Sequence, residues 1–206
     1  MTMTLYVTPT SPYARMARIA AIEKGLKAQV DVVAAQTRTT DSPYYRVSPS
    51  GRVPCLVRPD QANLEDSTLI CAYFDALGSG PRIVHPYETA DWDYGRLETM
   101  ARSYLDGLSV LAREVRRPTG EQSPTIVAHE KARAARMADE WEREIGNPLM
   151  AGELNMPQLT LICALGSAMR LADCNPYEGR PALEAWGRAM MKRPSVVATE
   201  ADAPLN

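Results

Sequence analysis

Pro54 stands directly ahead of the strand-like run Cys55-Leu56-Val57, and this placement limits the folds open to the chain more than any other feature. Proline has no N–H to give to a sheet ladder, so within a sheet it belongs at a strand start or an edge. With a cis Val53-Pro54 bond, the main chain of Val53 turns outward, leaving its N–H and C=O for a ligand's own main chain. Downstream, Leu64-Glu65-Asp66-Ser67 opens an apolar helix. An acid and a hydroxyl at a helix start anchor an ammonium group and a carboxylate. Together these parts describe a pocket for a small peptide.

Around that segment, residues 5–78 alternate in type. Leu5-Tyr6-Val7 reads as a short buried strand. Ser11-Pro12 opens a helix whose Met16, Ile19, Ala20 and Ile22 recur near helical spacing, and Gly25 closes it. Val30, Val32 and Val33 suggest a second strand, and Gln36 to Ser48 has room for only a short irregular helix. Val53 to Val57 forms the third strand, Ala62 to Leu64 a brief fourth, and Asp66 to Leu77 a second helix.

Ser79-Gly80-Pro81 and His85-Pro86 then mark a linker over 79–86, after which the pattern is wholly helical. Leu97, Met100, Tyr104, Leu108, Leu111 and Val115 follow one face of a long helix that stops at Pro118. Further helices are expected over Thr125 to Ile145, from Asn155-Met156-Pro157-Gln158 onward, and over Glu178 to Met191, with a loosely held tail after Pro194. The reading is α+β: a thioredoxin-like domain over 1–78, then an all-helical domain over 87–206.

Composition narrows the function classes. At 206 residues and 45% hydrophobic content the chain can bury real cores. A formal charge of −2 argues against general nucleic-acid binding, which needs a basic surface. No apolar run is long enough to span a membrane. Met1-Thr2-Met3-Thr4 carries no basic residue, and Thr8-Pro9-Thr10 breaks the apolar stretch that follows, so a cytoplasmic protein is expected. Four cysteines without a CxxC pair, and only two histidines, supply no metal-ligand spacing. Cys55, Cys71 and Cys163 lie in apolar runs and read as small core hydrophobes.

Three strings in order make the chain resemble the cytosolic glutathione S-transferases, specifically a bacterial serine-type branch. They are Leu5-Tyr6 followed by Ser11-Pro12, then Gly51-Arg52-Val53-Pro54, then Asp66-Ser67 leading into Leu69-Ile70-Cys71-Ala72-Tyr73. Asn155 to Gln158 occupies the place of the family's capping box, where Ser or Thr first and Asp fourth are usual. The resemblance covers nearly the whole chain and implies glutathione as co-substrate, no metal, and a homodimer.

It also implies roles for single residues. Ser11 is fully explained as an N-cap before a first-turn proline. The catalytic reading adds a hydroxyl at the positive end of a helix dipole, donating to the glutathione sulfur and favouring its thiolate. Tyr6 and Thr10 are the rivals, Tyr6 matching the structural aromatic of serine-type members. No cysteine lies between Thr8 and Arg15, which speaks against the thiol-transferase branch. Val53 and cis-Pro54 would meet the cysteinyl unit. Asp66 and Ser67 would hold the γ-glutamyl group, with Glu65 an alternative for the ammonium. Arg52 lies near the glycyl end or is a solvated loop charge.

An electrophile would meet the long helix, where Tyr104, Arg113 and Arg117 are candidates to line its site, beside Arg116. Equally, these arginines form a solvated face complementing the helix dipole. Gly107 within that helix costs about 1 kcal/mol relative to alanine and signals close packing or a bend. The implied activity is conjugation of glutathione to small apolar electrophiles. The alternatives are a non-catalytic glutathione-binding or interaction module on the same fold, or a glutathione-dependent peroxidase or isomerase.

Overall fold

The structure, a computed structural model, describes residues 2–85 and 92–205. It divides into two compact units, one of Met1–Val84 with Arg193–Asn206, the other of His85–Lys192. Pro86, at the end of the expected linker, lies outside the described residues.

In the first unit the order is β1 (Met3–Val7), α1 (Pro12–Glu23), β2 (Val30–Ala34), β3 (Cys55–Val57), β4 (Leu64–Glu65) and α2 (Ser67–Leu77). The four strands form one mixed sheet in the order β2-β1-β3-β4, with β1 parallel to β2 and antiparallel to β3. Strand periodicity explains the packing of β1. Met3, Leu5 and Val7 point to the buried face, while Thr4 and Tyr6 take the half-buried one. Helices α1 and α2 pack on each other and bury Met16, Ile19, Ile70 and Phe74 completely. Each such side chain removed from water stabilises by about 1.5–3 kcal/mol. β3 begins at Cys55 rather than Val53 because Pro54 has nothing to donate and Val53 stays outside the ladder. Between β2 and β3, the irregular stretch contributes only a 3₁₀ turn, Pro43–Arg46, capped by Ser42.

The tail departs from expectation. Helix α7 (Pro194–Val197) and the residues after it pack on α1, leaving Ser195, Val196 and Thr199 at 2%, 0% and 1% exposure. Two buried cations explain this. Arg15 donates to the Val196 carbonyl at 3.0 Å and to the Thr199 hydroxyl at 3.4 Å, and Arg18 donates to the Pro204 carbonyl at 3.0 Å. Burial, and secondarily the neighbouring Arg15, pulls the Arg18 pKa down from its ordinary value. Arg193 and Ser195 also bond Glu23 at the end of α1. The segment therefore belongs to the first unit, not to the helical one.

The second unit comprises α3 (Trp92–Glu114), α4 (Pro124–Glu144), α5 (Met156–Ala168) and α6 (Pro181–Met190). α5 is buried on every side and packs on α3. α6 starts at Pro181, whose missing N–H suits a first helical position. At Gly107 a β-carbon would lie 2.8 Å from a Glu130 carboxylate oxygen of α4, so the residue is there for close approach. Half of the expected capping box forms. Asn155 accepts from the Gln158 N–H at 3.1 Å, but the Gln158 amide donates to the carbonyls of Leu149 and Ala151 instead of reaching back. Among the described residues no helix is long and apolar enough to cross a membrane.

Candidate functional site

Strand register brings the separated motifs of the first unit to one edge. Tyr6 pairs with Cys55, and Cys55 pairs with Glu65, forming one row across β1, β3 and β4. The chain one step beyond this row carries Val7 toward Ser11, Val53-Pro54, and Asp66-Ser67. Three strings far apart in sequence thus meet at the same end of the sheet.

Ser11 is half-buried and caps α1, its hydroxyl oxygen accepting from the Ala14 N–H at 3.2 Å. That bond uses a lone pair and leaves the hydroxyl proton to donate. The capping and catalytic roles are therefore compatible. The first turn of α1 holds no acid, so nothing there offsets the positive end of its dipole. Tyr6 stacks against Tyr44, ring centroids 5.3 Å apart, and Thr10 is exposed beside Ser11.

The Val53-Pro54 bond is cis. Pro54 is buried, Val53 half-buried and Arg52 exposed. Gly51 turns the chain at φ +65°, and a β-carbon there would come within 2.8 Å of the Tyr45 ring.

Asp66 adopts φ 72°, ψ 131°, a region that costs a non-glycine residue of order 1–3 kcal/mol. Its carboxylate caps α2 by accepting from the Thr68 N–H at 2.7 Å and is exposed, while Ser67 beneath it is 1% exposed. The acid is thus the outer group of the pair. Glu65 is differently engaged, accepting from the hydroxyls of Ser48 at 3.0 Å and Ser50 at 2.7 Å. Beside it, burial and then the Glu65 charge push the Cys55 thiol up to about 11, so this cysteine stays protonated and inert.

The helical-unit candidates occupy unlike places. Tyr104 is 1% exposed and faces a cavity of about 110 Å³ that Lys131, Cys174 and Arg180 also line. Burial raises its pKa. Arg113 and Arg117 are exposed at the end of α3 and beyond it, Arg117 pairing with Glu121 at 3.6 Å. The sequence reading missed Tyr44, Ser48 and Ser50. Their only sequence signal was the spacing of hydroxyls just ahead of Gly51.

This geometry is that of a glutathione transferase fold, and residues 10–77 belong to its N-terminal domain family, described as "Glutathione S-transferase, N-terminal domain". The uncharacterized GST-like protein YibF of Escherichia coli (strain K12) is 24% identical over 165 residues, 80% of this chain and 81% of that protein. Among solved structures, a glutathione transferase family member from Pseudomonas fluorescens Pf-5 with bound glutathione superposes at a TM-score of 0.87. It is 24% identical, over 98% of this chain and 100% of that one. A glutathione S-transferase from Methylobacillus flagellatus KT with glutathione bound gives 0.85 at 27% identity, over 97% and 99%.

Proposed function

We propose that the protein binds glutathione at the sheet edge of its first unit and adds its thiolate to small apolar electrophiles. The observation that carries this reading is the row Tyr6, Cys55, Glu65, from which the segments leading to Ser11, Val53-Pro54 and Asp66-Ser67 leave the sheet at the same end. Glutathione bound to the Pseudomonas and Methylobacillus relatives supports it.

In this scheme the γ-glutamyl ammonium meets the Asp66 carboxylate, and its carboxylate meets the start of α2 at Ser67. The cysteinyl main chain pairs with Val53 beside Pro54, and Arg52 faces the glycyl carboxylate. Ser11 donates its hydroxyl proton to the sulfur. A free thiol titrates near roughly 8.5, and lowering it by about two units is worth ~2.7 kcal/mol of preference for the thiolate. The thiol proton leaves to solvent and the sulfur lone pair forms the new bond to an electrophilic carbon. The π bond of that carbon opens and its electron pair takes a proton from solvent, or a leaving group departs with its bonding pair, and the conjugate is released. Arg113 and Arg117 are the proposed electrophile contacts, whereas Tyr104 faces a separate cavity inside the helical unit. A cytoplasmic homodimer fits the exposed Leu69 and Leu77 of α2, 52% and 48% accessible on either side of Tyr73.

The test is the ultraviolet thiolate absorbance of bound glutathione across pH, in wild type and Ser11→Ala. The expected result is a lowered thiol pKa in wild type that returns to near 8.5 in the variant. Binding without any lowering identifies a binding module instead, and no binding removes the site assignment altogether.

A further inference from the structure

We infer that Tyr44 and Glu65 are positioning residues for the ligand's main chain, because together they fix the direction of the Arg52–Val53 peptide. This rests on the glutathione reading above and adds to it two side chains that never touch the ligand.

The Tyr44 hydroxyl donates to the Arg52 carbonyl oxygen. Arg52–Val53 is a trans peptide, Val53-Pro54 being the cis bond among the described residues. In a trans peptide C=O and N–H point in opposite directions. Tying the Arg52 carbonyl to Tyr44 therefore turns the Val53 N–H the other way, out of the loop. The ring that does this is anchored in turn. Tyr44 is 4% exposed, stacks on Tyr6 of β1, and lies in a turn capped by the Ser42 hydroxyl.

Glu65 fixes the other end of Arg52. A carboxylate only accepts, so it takes the single proton of each serine hydroxyl it meets. Ser50 gives its proton to Glu65 at 2.7 Å, which leaves a lone pair to accept from the Arg52 N–H at 3.1 Å. Ser48 stands 3.0 Å from Glu65 and 3.4 Å from the Arg52 carbonyl, so its proton goes to the carboxylate. Glu65 thus sets the polarity of a chain of hydrogen bonds that ends on the Arg52 N–H. With N–H and C=O of Arg52 both held, the Val53 peptide has one orientation before any ligand arrives. Preorganisation of this kind raises affinity by removing the entropy of ordering the loop. Glu65 belongs to β4, whose partner β3 starts just after Pro54, so the same strand pairing that builds the sheet edge supplies the buttress.

The experiment measures binding of two ligands to wild type, Tyr44→Phe and Glu65→Gln. One ligand is glutathione. The other is glutathione methylated on its cysteinyl nitrogen, whose methyl group holds the ligand's main chain away from Val53. Each variant is expected to weaken glutathione about tenfold, the scale of one well-placed hydrogen bond. Each should weaken the methylated ligand less than about twofold, since the contact being positioned is already gone. Ser50→Ala, which removes only an exposed hydroxyl, repeats the pattern at smaller size and carries the test if Tyr44→Phe fails to fold. Equal weakening of both ligands means the two residues act on general stability and overturns the inference. Unchanged glutathione affinity overturns it as well. Absence of glutathione binding in wild type overturns the glutathione reading and this inference together, a result distinct from either.

Discussion

The two units treat buried polar groups in opposite ways. Among the described residues, five buried side-chain atoms lack a hydrogen-bond partner: Ser109 Oγ, Glu130 Oε2, Trp141 Nε1, Gln158 Oε1 and Thr160 Oγ1. All five belong to the helical unit. Among the described residues of the first unit there is none, although it buries Arg15, Arg18, Lys24, Ser48 and Thr199. The first unit has spent its polar side chains on main-chain groups that must point in set directions, at the sheet edge and under the tail. The helical unit derives its order from packed helix faces and tolerates polar atoms left over within them. Polar side chains are thus geometry in one unit and residue in the other.

The largest test of that difference compares two buried charges. Lys24 and Asp75 form an ion pair at 3.0 Å with side chains 3% and 6% exposed, and each also bonds main-chain groups between Gly80 and Val84. Lys24→Met leaves Asp75 buried and uncompensated, and is expected to destabilise by about 3–5 kcal/mol. Glu130 is 8% exposed, with one oxygen unbonded and Arg133 at 3.5 Å. Glu130→Gln should shift stability by less than about 1 kcal/mol. Urea unfolding of both variants decides it, and equal losses would erase the contrast.

Asp66→Gly sharpens it, because here stability and binding should separate. Glycine adopts φ 72° without the penalty, returning of order 1–3 kcal/mol, against a few tenths for the altered cap and roughly 0.5–1 for chain entropy. The variant is expected to be more stable by about 1 kcal/mol while glutathione affinity falls about tenfold or more. Loss of both would show that Asp66 acts as a cap alone.

Much of this was legible in the sequence, and the boundary is physical. Local signals were sufficient for α1, where Ser11-Pro12 caps and Gly25 ends the helix, and for α2 and the long α3. Pro54 announced the start of β3, and Gly107 announced a close approach between helices. What stayed hidden depends on partners far along the chain. The tail reads as loose because nothing near Pro194 says that Arg15 and Arg18, some 180 residues earlier, will hold its carbonyls. Glu65 and Asp66 look interchangeable as adjacent acids, and only the fold shows that Glu65 bonds Ser48 and Ser50 while Asp66 caps α2. Gln158 looks like the return half of a capping box, and only the fold of 149–151 diverts it.

Alkaline pH should act on both units, since burial also raises Tyr104, Cys174 and Tyr177 in the helical one, and the first unit's share can be isolated. Burial raises the Cys55 thiol from 9.0 to about 11 and the Tyr44 hydroxyl from 10.0 to about 12. The folded state holds these protons more tightly than the unfolded chain. Their contribution is therefore complete below pH 9.0 and is lost as pH rises toward about 12. The urea midpoint is expected to fall across that window, and to fall less in Tyr44→Phe, which has no phenol to ionise. An unchanged drop in the variant would place the sensitivity elsewhere.

The smallest expected effect gives the clearest contrast, because one substitution is made in both units. Thr160 and Thr199 are 0% and 1% exposed. In α5 the Thr160 hydroxyl has no partner, so Thr160→Val removes a desolvated group, keeps the β-branched shape, and should stabilise by up to about 1 kcal/mol. In the tail the Thr199 hydroxyl accepts from Arg15 at 3.4 Å and stands 2.9 Å from the Ser195 carbonyl. Thr199→Val strands a guanidinium N–H in a buried place and should destabilise by roughly 1–2 kcal/mol. The two ΔΔG values, read from urea midpoints at constant slope, should have opposite signs. Like signs would mean that the orphaned hydroxyl in α5 is satisfied in solution, and the contrast between the units would then rest on the buried charges alone.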